Sequence, residues 1–87
     1  MRNGLEIDKY GNKLWYLNDK RHRTDGPAIE YSNGDEFWFL NGKRHRTDGP
    51  AIEYTDGTKY WYLNGMKLSE EEYLRTTRNN KLTELGI

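Results

Sequence analysis

The stretch KRHRTDGPAIEY at residues 20–31 returns letter for letter at residues 43–54, an offset of 23 residues. Trp15, Trp38 and Trp61 are separated by the same interval, each inside one version of an aromatic pentapeptide: LWYLN at 14–18, FWFLN at 37–41 and YWYLN at 60–64. Self-similarity at a fixed period of this size marks tandem copies of one supersecondary unit, none of which can bury its apolar face alone.

Each copy reads as two strands. AIEY at 28–31 and again at 51–54 runs into Asn33-Gly34 and Asp56-Gly57, dipeptides that tolerate the positive φ of a tight hairpin turn. Gly11-Asn12 holds that place in a divergent first copy, which has no KRHRTDG element. The aromatic strand follows, and Asn41-Gly42, Asn64-Gly65 or the weaker Asn18-Asp19 reverses the chain again. The expectation is a mainly β fold: an antiparallel meander of about six strands from three 23-residue hairpin repeats, with a short C-terminal capping helix. One repeat domain fills residues 1–87, with a first hairpin at 4–18, repeats at 19–41 and 42–65, and a helical cap and tail at 66–87. Strand alternation puts Trp38 and Leu40 on one face and Phe37 and Phe39 on the other. Stacked copies then predict a ladder in which Trp15, Trp38 and Trp61 each cover the next.

After Gly65 the repeat gives way to MKLSEEEYL at 66–74. Ser69 with Glu72 three residues on is a capping-box signature, and an acidic first turn suits the positive end of a helix, so a helix is predicted over 70–78. Leu82, Leu85 and Ile87 either pack behind it or belong to a frayed tail.

Composition narrows the function classes. With no cysteine, disulfide scaffolds, thiol catalysis and Cys-ligated metals are excluded. Fourteen basic residues balance fourteen acidic ones, unlike the basic surplus of a dedicated duplex binder. Aromatic residues make up 14% of the chain and supply the large apolar bodies that a disordered chain lacks. No apolar run approaches a bilayer crossing or a signal-peptide core, so a soluble, cytoplasmic protein without membrane contact is expected.

Within KRHRTDGP, Asp25 and Asp48 suit acceptance of turn amides, Gly26 and Gly49 an unusual backbone geometry, and Pro27 and Pro50 the restart of a strand. His22 and His45 fit either a structural role, donating to those aspartates or to a neighbouring carbonyl, or a place in a basic ribbon with Arg21, Arg23, Arg44 and Arg46. The arginines are the better binding candidates, since a turn does not require two of them. Phe39 and Tyr62 join them as rings on a sheet face that a single layer leaves open, alongside Tyr16, Phe37 and Tyr60. Glu70, Glu71 and Glu72 are placed to neutralise the second ribbon internally. Catalysis is not expected: Ser32 sits in a turn, Ser69 is a helix cap, and no nucleophile, metal or phosphate-loop pattern occurs. No cofactor or metal is expected either.

The unit WFLNGKRHRTDGPAIEYTDGTKYW resembles a variant MORN-type repeat, with its 23-residue period, aromatic strand positions, Gly-x-x-His element and Asp-Gly turn. The narrower string NGK-x-HR-x-DGPA-x-E-Y is similar to repeat proteins encoded by bacteriophages and giant DNA viruses, which often end in a Leu-Ser/Thr-Glu-Glu-Glu segment. The match covers roughly residues 5–73. An extra residue separates His45 from Gly49, and Trp61 replaces the glycine that usually follows the aromatic residue at position 60, so lipid binding does not carry over. The resemblance implies a non-enzymatic viral module that binds a host macromolecule, foremost a host protein, for instance to inhibit a defence or nuclease complex. Single-stranded nucleic acid or a nucleotide is the second partner class, a structural role in a viral particle the third, and homodimerisation an alternative cover for the aromatic face.

Overall fold

The computed structural model of the protein describes residues 1–84. It is mainly antiparallel β with one C-terminal helix. The strands are β1 (Gly4–Ile7), β2 (Lys13–Leu17), β3 (Lys20–Arg21), β4 (Ile29–Glu30), β5 (Glu36–Phe37), β6 (Phe39–Leu40), β7 (Lys43–Arg44), β8 (Ile52–Glu53), β9 (Lys59–Leu63) and β10 (Met66–Leu68), followed by α1 (Glu70–Glu84). The main sheet runs β1-β2-β4-β5-β8-β9-β10, with β3 also on β2 and β6 paired to β7. Helix α1 extends past the expected end at residue 78. The sequence-based expectations for Leu85, Ile87 and the side chain of Leu82 lie outside the described residues. Among the described residues no helix is long and apolar enough to cross a membrane.

The excess of segments over six has two sources: β10 is a seventh strand, paired with β9 where the cap was expected to begin, and the other extra segments come from interruptions. Trp15 N donates to Ala28 O, while Trp15 O accepts from His22 N. One residue of β2 therefore faces two residues of the next strand, and residues 23–27 between them loop out as an enlarged β-bulge. The strand resumes in the same lane: β3 pairs Tyr16 with Arg21, and β4 pairs Leu14 with Ile29. The second copy repeats this around Trp38, whose N and O bond Ala51 O and His45 N. Without the bulges, β3 with β4 and β7 with β8 would each be one strand.

The first copy is the same device with its loop removed. Arg2 O accepts from Asp19 N as Arg21 O accepts from Gly42 N, and Asn3 Oδ1 accepts from Asn18 N as His22 Nδ1 accepts from Asn41 N. Arg2-Asn3 thus stands for Arg21-His22 at an offset of 19, four short of the period, and the missing four are Arg-Thr-Asp-Gly. Leu5 pairs directly with Trp15, and β1 is unbroken.

Turn chemistry follows the two positions of each hairpin. Asn41 and Gly42 sit at φ 51° and 81°, the consecutive left-handed pair that a two-residue turn requires. At Asn33-Gly34 only the glycine is left-handed, and Gly34 N donates back to Tyr31 O: a wider turn than the tight one expected from the dipeptide. Side chains tie each turn to the next copy. Asn12 Oδ1 accepts from Ser32 N at 2.8 Å and Asp35 Oδ1 from Thr55 N at 2.8 Å. At the opposite sheet edge, His22 and His45 Nδ1 accept from Asn41 and Asn64 N, each at 2.9 Å.

The core is thin. Ala28, Ile29, Ala51, Ile52 and Tyr73 are its buried apolar residues among those described. The aromatic chain that binds the copies differs from the expected one. Tyr31, Phe37, Tyr54 and Tyr60 meet edge to face with centroids 5.3, 5.7 and 6.1 Å apart, on the face of Ile29 and Ile52. Such contacts add about 0.5–1.5 kcal/mol each beyond area burial. Among the described residues no indole pairs with another indole. Trp15 and Trp38 are capped by the guanidinium groups of Arg23 and Arg46, each 3.9 Å from the ring centroid. The bulge puts a cation where the next tryptophan was expected.

The C-terminal cap has the predicted chemistry. Ser69 Oγ accepts from Glu72 N, and Glu72 Oε1 accepts from Ser69 N, completing the capping box and holding the Glu72 carboxyl below the usual carboxylate range. The helix occupies the place of a third loop. Tyr73 donates its hydroxyl to Arg46 O and accepts from Gly49 N, and burial pushes its phenol above the ordinary tyrosine range.

Trp38→Ala removes the residue around which the second bulge is built and should lower unfolding free energy by about 3–5 kcal/mol in urea titration followed by circular dichroism. A midpoint within experimental error of wild type would contradict this packing.

Candidate functional site

Residues opposite one another in the register share a face, so Tyr16↔Arg21, Phe39↔Arg44 and Tyr62↔Lys67 set a ring beside a cation in each hairpin. The bonds from Gly42 N to Arg21 O and from Arg23 N to Phe39 O step each hairpin along the strands from the one before, so the six side chains form an oblique row on one face. Arg2 precedes them: its guanidinium lies 5.2 Å from the Tyr16 ring centroid. The order across the strands is Arg2, Tyr16, Arg21, Phe39, Arg44, Tyr62, Lys67, a strict alternation of cation and ring. Arg21 and Arg44 flank Phe39 at 6.0 Å each, Arg44 lies 5.4 Å from Tyr62, and Lys67 Nζ is 4.3 Å from Tyr60. The charged heads are exposed and the rings half-buried beneath them, the arrangement of stems lying over apolar surface with charges in water.

The charges of this row are largely uncompensated. Arg2 has Glu6 at 3.9 Å, but Arg21, Arg44 and Lys67 have no carboxylate partner among the described residues. Glu71 pairs with Arg75 and Glu72 caps the helix, so the expected neutralisation of the second ribbon by residues 70–72 is not found. The carboxylates of the strands gather on the opposite face, where Glu30 faces Glu36 and Glu36 faces Glu53. These carboxylates share their face with Arg23, Arg46, Lys13 and Lys59, where Glu30 pairs with Arg23 and Glu53 with Lys59, and so stand apart from the cations of the row.

Of the candidate residues, Arg21, Arg44, Phe39 and Tyr62 meet in this row. Arg23 and Arg46 do not. Each folds back across its own bulge onto the indole of the other face, with 22% and 19% of the side chain exposed. Arg23 Nε donates to Asp25 Oδ1 at 2.9 Å, and its Nη1 donates to Pro27 O and Glu30 Oε1. That hydrogen bond and the guanidinium charge hold the Asp25 carboxyl below the usual range. Arg46 repeats the contacts to Asp48 and Pro50. Asp25 and Asp48 thus accept from arginines, where turn amides were expected. Gly26 and Gly49 have no left-handed φ. A Cβ at these positions would lie 2.7 Å from Arg23 Cζ or 2.9 Å from Arg46 Cζ, so glycine leaves room for each guanidinium to fold back where it does. His22 and His45 are held as acceptors of a turn amide, a role opposite to the donation expected of them.

Two members of the row, Arg2 and Lys67, were absent from the candidates. Lys67 lies 23 residues after Arg44, so the period alone identifies it. Arg2 is found only once the four-residue deletion is known. Among the described residues no three His, Asp or Glu side chains gather in a way that could hold a metal ion. No family model, curated protein or solved structure matches the chain.

The two arginine classes differ in measurable stability. Arg21→Ala and Arg44→Ala should stay within about 0.5 kcal/mol of wild type, as exposed substitutions do. Arg23→Ala and Arg46→Ala should each cost about 1–3 kcal/mol, through the lost indole contact and the orphaned Pro27 or Pro50 carbonyl. Equal losses from all four in urea denaturation would contradict the division.

Proposed function

We propose that the protein is a non-enzymatic binding module that grips an acidic surface of another protein through the row running from Arg2 to Lys67. The observation that carries this reading is the set of exposed cations, Arg21, Arg44 and Lys67, left without carboxylate partners between half-buried rings. Unpaired cations speed the encounter with an acidic partner, while arginine stems and rings supply contact area that holds it. The resemblance to viral repeat proteins makes that partner a host protein, such as a component of a defence or nuclease complex that the module would inhibit. The rings favour this over base stacking, since each has a cation beside its face and is not an open platform.

The test is affinity capture from host lysate with mass spectrometry, run in parallel on wild type and on a fold-neutral Arg21→Ala, Arg44→Ala, Lys67→Ala variant. An acidic protein retained by wild type and lost by the variant is the expected result. A full partner set kept by the variant would overturn the site. Tight, strongly salt-dependent binding of labelled single-stranded oligonucleotide by wild type alone would replace the protein reading with the nucleic-acid one.

A further inference from the structure

Strand β1 carries a free edge whose chemistry departs from the repeat. Trp15 gives its N–H to Ala28 O and takes His22 N on its carbonyl, so its backbone turns away from Leu5, the residue opposite it in β1. Bonded and non-bonded pairs alternate along an antiparallel ladder. Gly4 and Glu6 therefore bond to β2, whereas the N–H and C=O groups of Leu5 and Ile7 point outward, and among the described residues no strand lies outside β1. In the other copies this edge is taken by the aromatic strand of the copy before: Ala28 O and Ala51 O accept from Trp15 N and Trp38 N, and Glu30 and Glu53 pair with Lys13 and Glu36. Leu5, Glu6 and Ile7 stand 23 residues before Ala28, Ile29 and Glu30. Where the repeat has a buried alanine and a glutamate, β1 presents leucine and isoleucine on the indole face, 48% and 62% exposed. Outward backbone groups flanked by exposed apolar side chains are a template for one more strand.

We infer that β1 pairs antiparallel with β1 of a second copy of this chain, with Leu5 opposite Leu5 on a two-fold axis normal to the sheet. The side chains select this register. Centring on Glu6 would set two carboxylates opposite each other, and centring on Ile7 would set Glu6 against Asp8, both repulsive. Centring on Gly4 would put the axis on its left-handed φ of 87°, where the extended run begins. Around Leu5 every pair is compatible. Glu6 faces Gly4, which has no side chain to meet it, Ile7 faces Asn3, and beyond them Arg2 comes against Asp8, a pair of opposite sign. Leu5 and Ile7 of both copies then form one apolar cluster on the indole face. An axis normal to the sheet keeps like faces on the same side, so the cation rows of the two copies lie on one side of the joined sheet. The pairing stands on the edge alone and holds whether or not the row binds an acidic protein.

One short strand a side makes a small contact, so the experiment takes the whole chain from low micromolar concentration to about 1 mM. Sedimentation velocity should show monomer giving way to dimer as concentration rises. Amide hydrogen exchange followed by NMR should show Leu5 and Ile7 gaining protection over the same range, while the amides of Gly4 and Glu6, already bonded to β2, keep theirs unchanged. Leu5→Lys with Ile7→Lys, at exposed positions that leave the fold intact, should abolish the dimer and leave the melting curve of the dilute protein as in wild type. Arg21→Ala with Arg44→Ala should dimerise like wild type, which keeps a failure of the cation row distinct from a failure of the edge. A monomer at every concentration would overturn the inference and leave the edge to a strand of another protein. A dimer that survives the lysine substitutions, or forms without protecting Leu5 and Ile7, would overturn it by placing the contact elsewhere.

Discussion

The structure depends on the way a tryptophan in each aromatic strand divides its two backbone hydrogen bonds. Trp15 and Trp38 each bond one residue before a loop and one after it, so the intervening residues bulge out of this ladder while Arg23 N and Arg46 N still donate to Phe39 O and Tyr62 O of the following strand. The loop is fixed by what it returns to the sheet: a guanidinium 3.9 Å from the indole, its Nε and Nη1 donating to Asp25 and Pro27, or to Asp48 and Pro50. A thin sheet cannot cover an indole from a second layer. The bulge makes a local cover from the strand itself, and Gly26 and Gly49 leave the space that this fold-back needs.

That arrangement divides the two faces by task. On the indole face, arginines are immobilised and paired, and Tyr73 closes the series where a third loop would stand. On the other face the edge-to-face rings of Tyr31, Phe37, Tyr54 and Tyr60 join the copies near one row of turns. The cation row lies nearer the other turns, and its arginines contribute little to holding the sheet. Exposed charges without partners add little to stability, so the sheet does not depend on them.

Much of the architecture was legible in the chain. The 23-residue period, the reversing Asn-Gly turns and the Ser69–Glu72 cap all stand in the structure, because each rests on local chemistry. The allocation of arginines was not legible. Arg21 and Arg23 are two residues apart and would share a face in an uninterrupted strand, but the bulge opens between them and sends Arg23 to the opposite side. The same interruption made an indole ladder look natural from spacing alone, since periodicity says which residues are equivalent and not what lies over them. Arg2-Asn3 escaped notice because its equivalence to Arg21-His22 is shifted by the four deleted loop residues. Of the seven residues in the row, Arg21, Arg44, Phe39 and Tyr62 stand among the sequence candidates, whereas His22, His45, Arg23 and Arg46 lie outside it, bonded to a turn amide or folded onto an indole.

The central claim is the seating of Arg23 and Arg46 on their indoles, and proton NMR reads it directly. A guanidinium and its Cδ methylene held over an indole ring fall in the shielding cone. The Hδ protons of Arg23 and Arg46 should therefore resonate well upfield of their random-coil positions, with nuclear Overhauser contacts to Trp15 and Trp38, while those of Arg78 do not. Unshifted Hδ resonances for Arg23 and Arg46, without contacts to either indole, would contradict the account.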